Sequence, residues 1–67
     1  MASSIVLLRL YRECVRTADD LLRAERADAP NRHTLARAER RAADAYDTAL
    51  AKASEGALAH FSKLLGA

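Results

Sequence analysis

Four arginines carry the best-defined chemistry in this chain. If residues 4–26 are helical, Arg9, Arg12, Arg16 and Arg23 fall within about 60° of one another around the axis. A guanidinium is a planar fork of donors, always charged, that matches carboxylate and phosphate oxygens. A stripe of four suits an acidic protein surface or a nucleic-acid backbone. The other reading is an ordinary solvated face, because Glu13, Asp19 and Asp20 lie nearby. Arg37, Arg40 and Arg41 extend the basic character downstream. No aromatic residues interleave with these arginines, which argues against stacking on nucleic-acid bases.

Groups for catalysis are sparse. His33 and His60 are far apart in sequence, and no glycine-rich phosphate loop is present. Asp44 and Asp47 would be neighbours on a helix, but among polar residues that keep them solvated. Cys14 sits within an apolar stripe, where a thiol is a small hydrophobe rather than a nucleophile. No cysteine–histidine cluster has metal-ligand spacing. The expectation is a protein that is not an enzyme and binds no metal or cofactor directly.

These side chains need elements to hold them. Leu7, Leu10, Tyr11, Cys14, Val15, Ala18, Leu21 and Leu22 follow helical period and share one broad arc, with the arginines beside it. Ser3 or Ser4 suits the cap of this first helix. Asp28-Ala29-Pro30-Asn31 breaks it: Pro30 disfavours a helical Ala29 and suits the first turn of a new helix, capped by Asp28 or Asn31. So short a connection implies an antiparallel hairpin. The second helix carries Leu35, Ala38, Ala42, Ala45 or Tyr46, Ala49 and Ala53 on one face. Ser54-Glu55-Gly56 then suggests a break before a third stripe of Leu58, Phe61, Leu64 and Leu65, although one unbroken helix from Asn31 to Leu65 nearly keeps the register. The predicted fold is all-α, an antiparallel three-helix bundle with helices near 4–26, 31–53 and 55–65. A two-helix hairpin is the fallback.

Composition bounds what such a fold can do. A chain of 67 residues, 51% hydrophobic but only 4% aromatic and without Trp, has little with which to fill a core. Domains this small are marginal alone. One cysteine permits no internal disulfide. Net charge is +2, mild for a nucleic-acid domain. No apolar run approaches the roughly 18 residues of a membrane span, and Ile5-Val6-Leu7-Leu8 is short for a signal-peptide core. The missing stabilisation is therefore expected from a partner.

The segment Val6-Leu7-Leu8-Arg9-Leu10-Tyr11-Arg12-Glu13-Cys14-Val15-Arg16 resembles the signature of the LYR-motif proteins, small basic three-helix proteins of mitochondria. Leu10, Tyr11 and Arg12 match the motif itself, with an aliphatic residue before it and Arg16 four residues after its own arginine. The family carries a Phe late in the second helix after basic residues; here Arg40, Arg41 and Tyr46 are the nearest equivalents, with Tyr for Phe and a wider gap.

The resemblance implies a mitochondrial location, in the matrix or on the matrix face of the inner membrane. It implies binding to the mitochondrial acyl carrier protein, with the acylated phosphopantetheine of that partner as the one prosthetic group involved. Arg9, Arg12, Arg16, Arg40 and Arg41 would meet the acidic carrier. Leu7, Tyr11, Cys14, Leu35, Tyr46 and Phe61 would line an acyl groove. The pair would then serve as an accessory subunit or assembly factor of a larger complex, the respiratory chain first. The alternative is a structural helical subunit of a mitochondrial assembly or ribosome without carrier binding, and nucleic acid enters only in that ribosomal setting.

Overall fold

Three helices, α1 (Ser4–Arg26), α2 (Arg32–Lys52) and α3 (Glu55–Gly66), make up most of residues 3–66, which the computed structural model describes. The all-α three-helix architecture is the predicted one, and α2 and α3 are separate. Ala53 turns extended at ψ 145°, which ends α2, and the Ser54 hydroxyl accepts a hydrogen bond from the Ala57 amide at 3.1 Å, which starts α3. Ser3 caps α1 in the same way, accepting from the Val6 amide at 3.2 Å.

The first turn of the chain is set by a backbone device. Asp28 adopts φ 49°, in the left-handed region. The Asp28 amide donates to Glu25 and the Ala29 amide to Ala24, the bond pattern of a Schellman cap. Asp28 also pairs with Arg32 at 2.7 Å, across the turn. Pro30 lies in the turn, before Asn31, rather than in the first turn of α2 as expected. Asn31 holds the cap position but its side chain makes no capping bond.

Contacts between α1 and α2 fix their direction. Cys14 reaches Ala42, and the Tyr11 ring meets Tyr46. One number rises as the other falls, so the two helices run antiparallel. Helix α3 returns over the front of α1, where Ser4 Oγ lies 2.7 Å from His60 Nδ1 and the Phe61 ring meets Tyr11.

The core is thin and aromatic at its centre. Leu7 is fully buried and Phe61 is 5% exposed, with Ala24 the third buried apolar residue. Tyr11, Tyr46 and Phe61 are all the aromatic residues of the chain, and each helix supplies one. Their ring centroids are 5.9, 6.1 and 6.2 Å apart, tilted or edge-on. Such pairs contribute about 0.5–1.5 kcal/mol each beyond the area they bury. Tyr46, not Ala45, faces the seam, so the choice left open on α2 falls to the larger ring.

One part of the expected core is not core. Val15 is 52% and Leu22 is 47% exposed, and Ala18 is exposed as well. The cause is length. Helix α3 spans about 18 Å against about 35 Å for α1, at 1.5 Å per residue. It covers the flank of α1 at Ser4 and Tyr11 and ends before that flank reaches Val15, Ala18 and Leu22. On α3, Leu58 and Leu65 also face outward.

The molecule is correspondingly long and flat, 42 × 23 × 12 Å, with a radius of gyration of 13.8 Å. A compact chain of this length has a radius near 11 Å. Among the described residues, no helix is long and apolar enough to cross a membrane.

Two substitutions test this account by thermal unfolding. Phe61→Ala removes the α3 ring from the triad and is expected to cost about 3 kcal/mol or more, enough to leave so small a domain largely unfolded. Gly56→Ala is expected to raise stability by about 0.5–1 kcal/mol, because an added methyl meets nothing within 4 Å.

Candidate functional site

Helical geometry puts the arginines of α1 on the side away from α2. Arg9, Arg12 and Arg16, with Ile5, Leu8 and Glu13, line an open cleft of about 380 Å³. All six residues belong to α1. Side chains from successive turns stand apart and leave an aliphatic floor, Ile5 and Leu8, between cationic walls. Arg40 and Arg41 are exposed on α2 and do not line this cleft.

Ion pairing divides the stripe in two. Arg16 is held on both sides: its Nε donates to Glu13 at 3.2 Å, its Nη2 also donates to Glu13, and its Nη1 donates to Asp20 at 3.2 Å. The hydrogen bond from Arg16 holds the Glu13 carboxyl below its ordinary value, and the same contact raises Arg16. Arg23 is paired with Asp19 at 2.9 Å. Among the described residues, Arg9 and Arg12 have neither an ion pair nor a side-chain hydrogen bond. The pairs that do form are solvent-exposed one-turn pairs, weakened by water and salt, so a partner can compete for them.

The tripeptide Leu10-Tyr11-Arg12 spans the helix from inside to outside. Leu10 is half-buried, Tyr11 packs its ring in the seam against Tyr46 and Phe61, and Arg12 is exposed in the cleft. Its ring is packed against other rings and lines neither of the open clefts described here.

The candidate groove residues fall into two places. Leu7, Tyr11, Tyr46 and Phe61 form the front of the seam, and Cys14 joins them by donating its S–H to the Ala42 carbonyl at 3.3 Å. Leu35 is not with them. The register that sets Cys14 beside Ala42 places Leu35 opposite residues 21 and 22, about 10 Å further along the pair. A second open cleft, of about 260 Å³, lies there and is lined by Leu21, Glu25, Arg32, His33 and Ala36. Neither cleft is lined by any of the six groove residues.

Two titrating groups in the seam are shifted by their surroundings. Burial pushes the Cys14 thiol above its ordinary value of 9.0, and Asp47, Glu39 and Glu13 push the same way. It is therefore a protonated thiol at neutral pH. Burial likewise raises the Tyr46 phenol above 10.0, with Cys14, Tyr11 and Asp47 adding to the effect. His33 is exposed beside the second cleft, and no cluster of metal-ligating side chains occurs among the described residues.

The contact that sequence reasoning missed is Ser4 with His60. The two are separated by 56 positions, and Ser4 is buried. Polar residues at the end of an amphipathic stripe carry no periodic signal, so only the fold reveals this pair. Comparison of the chain with protein families, with curated proteins and with solved structures finds no match. The likeness to LYR-motif proteins stands on the quoted residues.

The seam shifts give a pH dependence with a definite sign. Both groups have folded values above their unfolded values, so the stability they contribute is complete below about pH 9 and is lost as pH rises through the folded values. Melting temperature is expected to fall as pH rises above about 9, and Tyr46→Phe should flatten the upper part of that slope. An unchanged slope in Tyr46→Phe would refute the assignment.

Proposed function

We propose that the chain is a non-catalytic LYR-type accessory subunit or assembly factor of a mitochondrial complex. In this reading it docks an acyl carrier protein on the front of α1. The observation that carries the proposal is the pair of unpartnered guanidinium groups, Arg9 and Arg12, over an aliphatic floor of Ile5 and Leu8. An acidic amphipathic helix has the complementary pattern of carboxylates beside apolar side chains. Arg16 is already neutralised by Glu13 and Asp20, so it is a secondary contact. Arg40 and Arg41 would serve a larger partner that reaches across to α2.

An acyl chain carried by the partner would enter the seam where Tyr11, Tyr46 and Phe61 meet, and the three rings would part to admit it. Burying that chain would add about 0.8 kcal/mol per methylene, a substantial gain for a core this small. The host complex in this reading is the respiratory chain, on the matrix side.

The other reading is a structural subunit that fits a crevice of a large assembly and binds no carrier. The exposed apolar residues of α1 and α3 favour it to the same extent. Affinity purification at low salt followed by intact-mass measurement separates the two, because an acylated carrier comes down only in the first.

The decisive variant is Arg9→Glu with Arg12→Glu. Affinity for an acyl carrier protein, measured by titration calorimetry, is expected to fall at least about tenfold, and to fall with added salt in the unmodified chain. Arg16→Gln is expected to matter less. Undiminished binding by the double variant would overturn the proposal.

A further inference from the structure

The seat of α3 does not end where α3 does. On α1 it follows one line, through Ser4, Tyr11, Val15, Ala18 and Leu22, at helical steps. His60 and Phe61 of α3 cover this line at Ser4 and Tyr11. Behind them Val15, Ala18 and Leu22 are exposed. The facing wall comes from α2, where Arg32, Ala36, Glu39 and Ala43 follow steps of four and three and are all half-buried. The cleft shared by Leu21 and Glu25 of α1 and Arg32 and Ala36 of α2 sets both lines on the same side of the hairpin. Together they form a trough about 17 Å long, the part of α1 that α3 leaves over. It continues the bed of a helix laid across two others, so a further helix has the shape to fill it.

Surface area agrees. The chain exposes 4936 Å². A compact monomer of 7.3 kDa exposes about 4,200 Å². The surplus, roughly 700 Å², is close to the ~800 Å² that each partner contributes to a standard interface.

Charge decides which helix fits. Glu39 is half-buried on the α2 wall, and Glu25 follows Leu22 by three on the α1 wall. Positions three and four away from Glu39 are Leu35, Ala36, Ala42 and Ala43, so its own helix offers it no cation. Those around Glu25 are Leu21, Leu22, Asp28 and Ala29. Among the described residues neither carboxylate has an ion pair or a side-chain hydrogen bond. Arg32, on the same wall, is engaged by Asp28. Arg26 and Arg40 are exposed and stand about 100° further round their helices, on the rims, and His33 is exposed at the edge of the cleft.

The spacing of the two glutamates is set by the hairpin. The Cys14–Ala42 contact places Glu39 opposite Thr17, about 12 Å before Glu25. Helical side chains lean toward the start of their own helix, so in this antiparallel pair the two carboxylates lean toward each other. They then stand about 10 Å apart along the trough, the rise of seven helical residues.

We propose that this trough docks a basic amphipathic helix of another protein. Its apolar side chains lie on Val15, Ala18 and Leu22, and lysines or arginines seven residues apart answer Glu39 and Glu25. A neutral apolar helix would bury both carboxylates without a partner, which is costly. The free arginines on the outer face of α1, Arg9 and Arg12, are three apart, too close to answer both glutamates, which argues against a second copy as occupant. The trough is separate from the arginine cleft and attracts the opposite charge, so the proposal does not rest on the carrier reading.

Titration calorimetry of the intact chain at low salt tests it with two peptides. One is an 18-residue helix former with leucines at steps of three and four and lysines elsewhere; the other has glutamine for every lysine. The lysine peptide is expected to bind at least about tenfold tighter than the glutamine peptide. Glu25→Gln with Glu39→Gln should bring the two within about threefold. Glu25→Gln alone, at an exposed position, should weaken the lysine peptide by about threefold, whereas Asp44→Asn, on the outer side of α2, should leave it unchanged. Far-UV circular dichroism checks that the helices persist. In methyl NMR spectra the lysine peptide should shift Val15, Ala18 and Leu22 and leave Ile5 in place. Equal affinity for the two peptides would overturn the proposal. So would a loss in Asp44→Asn as large as in Glu25→Gln, or shifts centred on Ile5. A chain that sediments as a dimer and loses the dimer in Leu22→Lys would also overturn it, because a second copy would then hold the trough.

Discussion

Three rings hold this molecule together. Each helix contributes one of Tyr11, Tyr46 and Phe61, and the centroids form a triangle with sides near 6 Å. Along α2 the half-buried positions include Ala36, Ala38, Ala42, Ala43 and Ala49, small side chains that allow close approach but bury little area. Among the described residues only Leu7, Ala24 and Phe61 are buried apolar ones, so no second cluster can take over. The Ser4–His60 bond and the thiol contact from Cys14 to Ala42 flank the triangle and fix its orientation. Every side chain that specifies how α3 sits on the hairpin lies within two turns of Tyr11.

That concentration has a cost in coverage. Because α3 is half the length of α1, it closes the front of the molecule and leaves the rear as a bare two-helix hairpin. The rear end is secured by backbone geometry instead: the Schellman bonds around Asp28 and the Asp28–Arg32 pair. A core at one end and a turn at the other account for the extended, flat shape. They also account for apolar residues on the outside without any flaw in the helices themselves.

Much of the fold was legible because helical period is a local signal. The three elements, the hairpin turn and the cap at Ser3 follow from spacing and from Ser, Pro and Gly positions. Spacing cannot say how far a neighbouring helix extends. Val15, Ala18 and Leu22 share the arc of Leu7 and Cys14, and only the length of α3 separates those covered from those left bare. The arginine stripe was likewise legible as a stripe. Its division was not, because Glu13 lies within one turn of both Arg9 and Arg16, and it is the geometry that gives it to Arg16. Leu35 was grouped with the seam residues by type and face, yet the antiparallel register carries it to the other end. Thr17 is buried although polar, since its hydroxyl donates back to the Glu13 carbonyl at 2.8 Å.

Tyr11 and Arg12 tie the core of the molecule to its outer face. The Tyr11 ring is fixed by Tyr46 and Phe61, and the next residue along the same helix is a wall of the arginine cleft. Because Ile5, Leu8, Arg9, Arg12, Glu13 and Arg16 all belong to α1, the cleft keeps its shape for as long as that helix does, and α2 and α3 act on it only by holding the helix. The nearby carboxylates of α1 are engaged elsewhere: Glu13 and Asp20 with Arg16, and Asp19 with Arg23. Arg9 and Arg12 are thus left over Ile5 and Leu8 with no carboxylate of their own helix against them, and one that meets them has to come from outside it.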